Sequence, residues 1–247
     1  MQTSDDPVFE PFLEAGIVAS VDGIVKSGKE ATVWRCVAGP VAATASGFVA
    51  VKVYKEIATR SFRNMGGYLE GRIGRTVRGR RNILHMLSDE ASMQAAWVDA
   101  EFSALQGLHG RSLPVPRPFH RTDCALAMDF VGDCEGGVSP QLVHARLGKD
   151  EAAGLYDRLV AAIVEMLRAD IIHGDLSPYN ILFHEGRLMV IDFPQAIDAR
   201  YHSQAFTMFV RDLANVSAWF AKAGVGAADR IEAFAAETWE AYERNRL

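Results

Sequence analysis

An α+β chain in two lobes is expected, and three observations predict it. Short β-type runs fill residues 17–54, one long helical pattern follows at Ser88–Leu108, and helical periodicity dominates from Asp150 onward, after a proline-stiffened break at Pro114–Pro118. The chain has 247 residues and is 49% hydrophobic, enough apolar side chain for a true core. Its formal net charge of −5 argues against a general polyanion binder, so neither DNA nor a membrane surface is an expected partner. Cys36, Cys124 and Cys134 are odd in number and form no Cys-x-x-Cys pair, so neither disulfides nor zinc are indicated and a reduced, cytoplasmic setting is expected. Met1–Phe12 is acidic and lacks the basic start and apolar centre of a signal peptide, and no apolar run is long enough to cross a bilayer.

In chain order, residues 1–15 form a short N-terminal segment. Ile17–Val25 reads as a strand and Thr32–Val37 as its partner, so Ser27, Gly28, Lys29 and Glu30 fall in the turn between them. Such a turn serves either as an ordinary hairpin or as a cradle of backbone amides for phosphates. Phe48–Tyr54 is a buried strand containing Lys52, and a buried lysine needs an anion or a carboxylate. The helix Ser88–Leu108 offers that carboxylate. Met93, Trp97, Ala100, Ala104 and Leu108 mark its apolar face, with Glu101 at the border and Asp99 and Glu90 as alternatives. Between them, about 56–86, lies a run that includes Arg60, Arg63, Arg72, Arg75, Arg78, Arg80 and Arg81, broken by glycines. It reads first as a mobile solvated loop and second as a grip on RNA or an acidic protein.

Ala125–Gly132 is an apolar strand ending at glycine. Asp150–Ala169 is an amphipathic helix carrying Leu155, Leu159, Ala162, Ile163, Met166 and Leu167 on one face, and two more helices are expected at about 203–222 and 228–245. Arg211-Asp212, inside the first of these, reads as a structural ion pair. The long helix delivers the chain to His173-Gly174-Asp175-Leu176-Ser177-Pro178-Tyr179-Asn180, followed by a buried hairpin (Ile181–Phe183 and Leu188–Ile191) that ends at Asp192-Phe193. A carboxylate, an amide five residues on and a second carboxylate past a hairpin are what phosphoryl transfer needs: one group to orient the attacking hydroxyl and hard oxygens for magnesium. This spacing resembles the protein-kinase catalytic loop and its metal-binding hairpin.

With Ser27–Val33, Val49–Tyr54, Trp97–Glu101, Met128–Gly132, His173–Leu182, Ile191–Phe193 with Gln195-Ala196, and Phe209–Asp212 running in order, the chain resembles the RIO family of atypical serine/threonine protein kinases, closest to its first subfamily. The resemblance implies a truncated two-lobed kinase-like fold: an N-lobe at 16–128, an antiparallel sheet plus one helix, and a mostly helical C-lobe at 129–247 without an activation segment. It implies ATP and Mg2+ as cofactors, Lys52 on the phosphates paired with Glu101, Asp175 catalytic, and Asn180 and Asp192 on the metal. Ser27, Gly28, Lys29 and Glu30 would lie over the phosphates, and Met128, Asp129 and Val131 along the adenine edge. It also implies a protein substrate, the chain itself included, or a switch-like ATPase passing through phosphorylated Asp192, and an association with small-subunit ribosome maturation; the arginine run Arg60–Arg81 is the segment whose charge suits contact with a ribosomal particle or RNA. Two alternatives stand beside it: a phosphotransferase for aminoglycosides or choline-like alcohols, which share a His-Gly-Asp loop, and a nucleotide-gated ribosome-binding module. Pro194, where kinases place glycine after Asp-Phe, restricts the backbone against an in-out flip.

Overall fold

The computed structural model describes residues 6–55, 90–226 and 230–247. The described residues fall into two compact units, one formed by 6–55, 90–109 and 116–139 and the other by 110–115, 140–226 and 230–247. The stretch 129–139 lies in the first unit. The arginine run at 60–81 lies outside the described residues.

In the first unit, a single 3-10 turn (Pro7–Phe9) and the short helix α1 (Glu10–Glu14) precede the strands β1 (Val18–Ser27), β2 (Ala31–Ala38), β3 (Phe48–Tyr54), β4 (Pro118–Arg121) and β5 (Ala125–Asp129). They make one antiparallel sheet in the order β1-β2-β3-β5-β4. Side chains alternate across a strand, so β3 sends Val49, Val51 and Val53 to one face and Ala50, Lys52 and Tyr54 to the other. The valines join Trp34, Cys36, Ala125 and Ala127 in a core closed by Phe9 and Phe12. Residues 6–14, unremarkable in sequence, therefore form a lid on the sheet: Phe9 meets Trp34 edge-on at 5.3 Å, and the Asp6 carboxylate caps the 3-10 turn by accepting from Val8 N–H at 3.0 Å. Burial pushes the Cys36 thiol up to about 12, leaving it an inert core group.

Helix α2 (Glu90–His109) also belongs to this unit. It buries Met93, Trp97, Val98, Ala100, Ala104, Leu105 and Leu108, and Gln94 Nε2 ties it to the Tyr54 carbonyl of β3 at 3.0 Å. β4 was not foreseen. The prolines that read as a plain break end at Pro118, whose extended backbone starts an edge strand, the position in a sheet where proline is tolerated.

The second unit holds three helices, α3 (Lys149–Arg168), α4 (Ala205–Lys222) and α5 (Ile231–Glu243), close to the expected spans. All six residues expected on the inner face of α3 are buried, and its Tyr156 hydroxyl bonds Ser217 Oγ of α4 at 2.9 Å. Two small antiparallel pairs carry the loops. β6 (Ile171–Ile172) pairs with β9 (Ile197–Asp198), and β7 (Ile181–His184) pairs with β8 (Arg187–Val190). Glu185 and Gly186 turn the second hairpin with φ of 46° and 74°, the left-handed pair that a two-residue turn matched to strand twist requires. No helix among the described residues is long and apolar enough to cross a membrane.

At the β2 exit, Gly39 donates its N–H to Ile17 O at 2.8 Å, and a methyl built on it would sit 2.7 Å from the Gly16 carbonyl carbon. Gly39→Ala should therefore push apart the β1 and β2 ends at a cost of about 2 kcal/mol, seen in urea titration as a lower midpoint with an unchanged slope. An unchanged midpoint would contradict this packing.

Candidate functional site

Alternation along β3 aims Lys52 away from the valine core, and α2 brings Glu101 to meet it. Lys52 Nζ donates to both Glu101 oxygens at 2.9 Å, with 7% of the lysine and none of the glutamate exposed. Glu101 is not at the border of the apolar face but inside it, one turn after Trp97. Of the two alternative carboxylates, Asp99 points elsewhere and pairs with Arg121 at 2.6 Å, and the Glu90 side chain lies outside the described residues. A doubly hydrogen-bonded ammonium in this setting is a cation fixed in place, suited to an anionic ligand.

The turn between β1 and β2 is narrow. Gly28 N–H donates to Ala31 O at 2.8 Å, and Ser27 Oγ bonds Thr32 Oγ1 at 3.2 Å. Lys29 is exposed. Lys55, just past β3 and not singled out by its sequence, donates to Gly28 O at 2.6 Å and Ser27 Oγ at 3.1 Å, while its N–H bonds Glu30 O at 2.8 Å. It buttresses the turn that contains the four residues expected over phosphates. On β5, Met128 is buried. Asp129 accepts Arg117 N–H at 3.0 Å on its side chain, and burial raises its carboxyl above the ordinary value against that bond and the Arg117 charge. Val131 takes Ser139 N–H on its carbonyl at 3.1 Å, and among the described residues its own N–H has no protein acceptor. One free backbone donor beside an apolar strand suits a flat heterocycle edge.

In the second unit, β6 leads into His173, and the loop beyond it presents an exposed Asp175. Asn180 Nδ2 donates to the Asp175 carbonyl at 2.9 Å and lies 3.4 Å from Asp175 Oδ2. Only the NH2 of an amide can face a carbonyl, so Asn180 Oδ1 is turned away from Asp175. Ile191 N–H donates to Asn180 O at 2.9 Å, tying the residue before Asp192 to Asn180. Asp192 has φ of +72°, a left-handed backbone that costs a non-glycine residue about 1–3 kcal/mol. It is followed by Phe193, fully buried with its ring 4.6 Å from that of His173. An amide oxygen and a carboxylate are the hard donors magnesium takes. Among the described residues no group of three or more His, Cys, Asp and Glu side chains is placed to hold a metal ion.

The loop is held by side chains of α4. Asp212, 1% exposed, accepts Gly174 N–H at 2.8 Å and Leu176 N–H at 3.0 Å, one on each oxygen. Arg211 donates to Gly174 O, and Asn215 donates to Leu176 O at 3.1 Å. The expected Arg211–Asp212 ion pair is corrected by these contacts: neighbours on a helix do not face each other, and each side chain reaches the loop instead. The signal was present in the sequence, because Asp212 lies three residues after Phe209 and four before Val216 on the buried stripe, where a carboxylate needs partners. Gly174 has φ of +81°, and a Cβ there would meet the Gln195 carbonyl oxygen at 2.5 Å, so no larger residue fits.

Burial pushes the Asp212 carboxyl from 3.8 up to about 7, opposed by its two N–H donors and the Arg211 charge and reinforced by Asp175. The unfolded chain therefore ionises first as pH rises. The contribution to stability is complete below the unfolded value and lost as pH climbs through the folded one. The difference in unfolding free energy between the parent and Asp212→Asn should accordingly fall from pH 3.8 to about pH 7 and then level off; a difference that does not vary with pH would contradict this. For the buried pair, Glu101→Ala should cost about 3–5 kcal/mol by removing the carboxylate that accepts two bonds from the buried Lys52 ammonium. Lys52→Met with Glu101→Leu should recover most of that loss in thermal unfolding, and a double variant no better than the single would count against the pairing.

A RIO domain matches residues 33–233. The chain is 31% identical over 214 residues to serine/threonine-protein kinase RIO1 of Caenorhabditis elegans, an alignment covering 86% of this chain and 39% of that protein. It is 32% identical over 228 residues to RIO-type serine/threonine-protein kinase Rio1 of Haloferax volcanii, covering 90% of this chain and 72% of that one. With the protein of the same name in Thermoplasma acidophilum it shares 33% over 178 residues, covering 72% and 87%. The chain thus spans about two fifths of the nematode relative and most of the two archaeal ones. The matched span contains Lys52, Glu101, Asp175, Asn180, Asp192 and Asp212, and over it the chain belongs to the RIO domain family.

Proposed function

We propose that the chain is an ATP- and magnesium-dependent protein kinase of the RIO type, acting on serine or threonine hydroxyls and on itself, in a cytoplasmic setting. The observation that carries this reading is the bond from Asn180 Nδ2 to the Asp175 carbonyl, which holds the amide beside a solvent-facing carboxylate and leaves the amide oxygen to a ligand. The kinase names of the matched relatives support it.

On this reading the residues divide the work between nucleotide, metal and acceptor. Lys52, fixed by Glu101, binds the nucleotide phosphates, with the Ser27–Glu30 turn above them. Met128, Asp129 and Val131 meet the adenine, Val131 through its N–H. Asn180 and Asp192 would hold magnesium, which would supply charge neutralisation on the phosphates. Asp175 accepts the hydrogen bond of the attacking hydroxyl and takes its proton as the bond to phosphorus forms. Transfer to an Asp192 oxygen instead, with ADP leaving, gives an acyl phosphate whose hydrolysis resets the chain, the behaviour of a switch-like ATPase.

The test is γ-labelled ATP with magnesium, following released phosphate and protein-bound label. Asp175→Ala should lower turnover by about 10²-fold or more with the fold intact. Label that hydroxylamine removes and Asp192→Asn abolishes would assign the acyl phosphate, and label that survives hydroxylamine would assign a hydroxyl acceptor. Turnover undiminished in Asp175→Ala would contradict the reading.

A further inference from the structure

We propose that Asp170, held by the Tyr242 hydroxyl of the last helix, is a positioning residue for the catalytic loop; this rests on the phosphoryl-transfer reading above. Asp170 follows α3 and precedes β6, with φ of +61°, a position where glycine is the default. An aspartate accepts the left-handed backbone only at a cost, so its carboxylate invites an explanation beyond capping.

That carboxylate joins three elements. Its Oδ1 accepts the Tyr242 hydroxyl of α5 at 2.5 Å, and its Oδ2 pairs with Arg200 at 3.2 Å. Arg200 in turn grips Asp198 of β9 with two bonds, at 3.0 and 2.6 Å. The Asp170 carbonyl accepts Ala199 N–H at 2.8 Å. Asp170, Arg200 and Asp198 therefore close the end of the β6–β9 ribbon, in which Ile171 faces Asp198 and Ile172 faces Ile197. One strand of that ribbon runs directly into His173-Gly174-Asp175, and the other is reached five residues after Asp192.

The same face of α5 braces the second support. Trp239 packs on Tyr242 at 5.5 Å and on Phe206 and Phe209 of α4 at 5.5 and 6.1 Å, and α4 is the helix that presents Arg211, Asp212 and Asn215 to the loop. One turn of α5 thus anchors both the ribbon beneath the loop and the helix beside it. Loss of the Tyr242 hydroxyl should loosen the ribbon without touching a nucleotide-binding residue.

The experiment compares Tyr242→Phe and Asp170→Gly with the parent. Phenylalanine keeps the ring stack and removes the hydroxyl, and glycine relieves the left-handed backbone while removing the carboxylate. The expected result is a fall in kcat of about tenfold in each, the size of one lost bond to a charged group, with KM for ATP unchanged. Amide exchange across 171–176 and 197–200 should quicken in both. A lower Tm with unchanged kcat would reduce Asp170 to a structural cap and overturn the proposal. Should the parent turn over no ATP, the phosphoryl-transfer reading fails, and exchange still decides whether the Asp170–Tyr242 bond positions the loop: faster exchange across 171–176 in Tyr242→Phe supports it and unchanged exchange overturns it.

Discussion

The site in the second unit depends on one buried carboxylate. Asp212 spends both oxygens on the N–H groups that flank Asp175, and those two bonds turn the loop so that Leu176 points inward while Asp175 faces water. Within the loop Asp175 N–H reaches His173 Nδ1 and Asn180 N–H reaches Ser177 O, but among the described residues no loop or strand carbonyl takes the Gly174 and Leu176 amides. A helix side chain does it instead. The arrangement also explains why Gly174 is small: drawn toward α4, its backbone packs against the Gln195 carbonyl and leaves no volume for a side chain.

The first unit solves a parallel problem with opposite charge. Lys52 is buried because β3 is covered on both faces, and its burial is tolerable only because Glu101 arrives from α2 with both oxygens. Such a pair is weak support for stability, since two well-packed apolar residues would serve as well or better. Its physical value is that it fixes a cation in position, which is the property an ATP-binding protein would need. Strain at Asp192 belongs to the same pattern, a cost borne by the fold at a residue that has a chemical task on the proposed reading.

Much of this was legible in the residues. Strand β3 and its lysine, the inner face of α3, the hairpin β7–β8 and the loop from His173 to Asn180 follow from periodicity and spacing, which report local structure directly. What escaped was long-range. Phe9 and Phe12 are two aromatics in an unpatterned segment, and nothing local says that they close the sheet. Asp212 read as half of an ion pair because sequence adjacency to Arg211 suggested contact, whereas helix geometry sends both side chains to the loop. Asp170, Arg200 and Tyr242 come together from three separate stretches. Lys55 was not singled out, and it is the pairing of β3 with β2 that brings it to Gly28 and Ser27. Glu101 could be chosen over Asp99 from the sequence only by resemblance, and the structure separates them by face.

The claim that Asp212 organises the loop is tested most directly by following the Gly174 and Leu176 amide protons by NMR as pH is raised. Two amides bonded to one carboxylate should shift together, with a shared midpoint near 7, and the titration should vanish in Asp212→Asn. Amide protons that do not titrate, or that titrate at separate midpoints, would show that the loop is held by something other than this carboxylate.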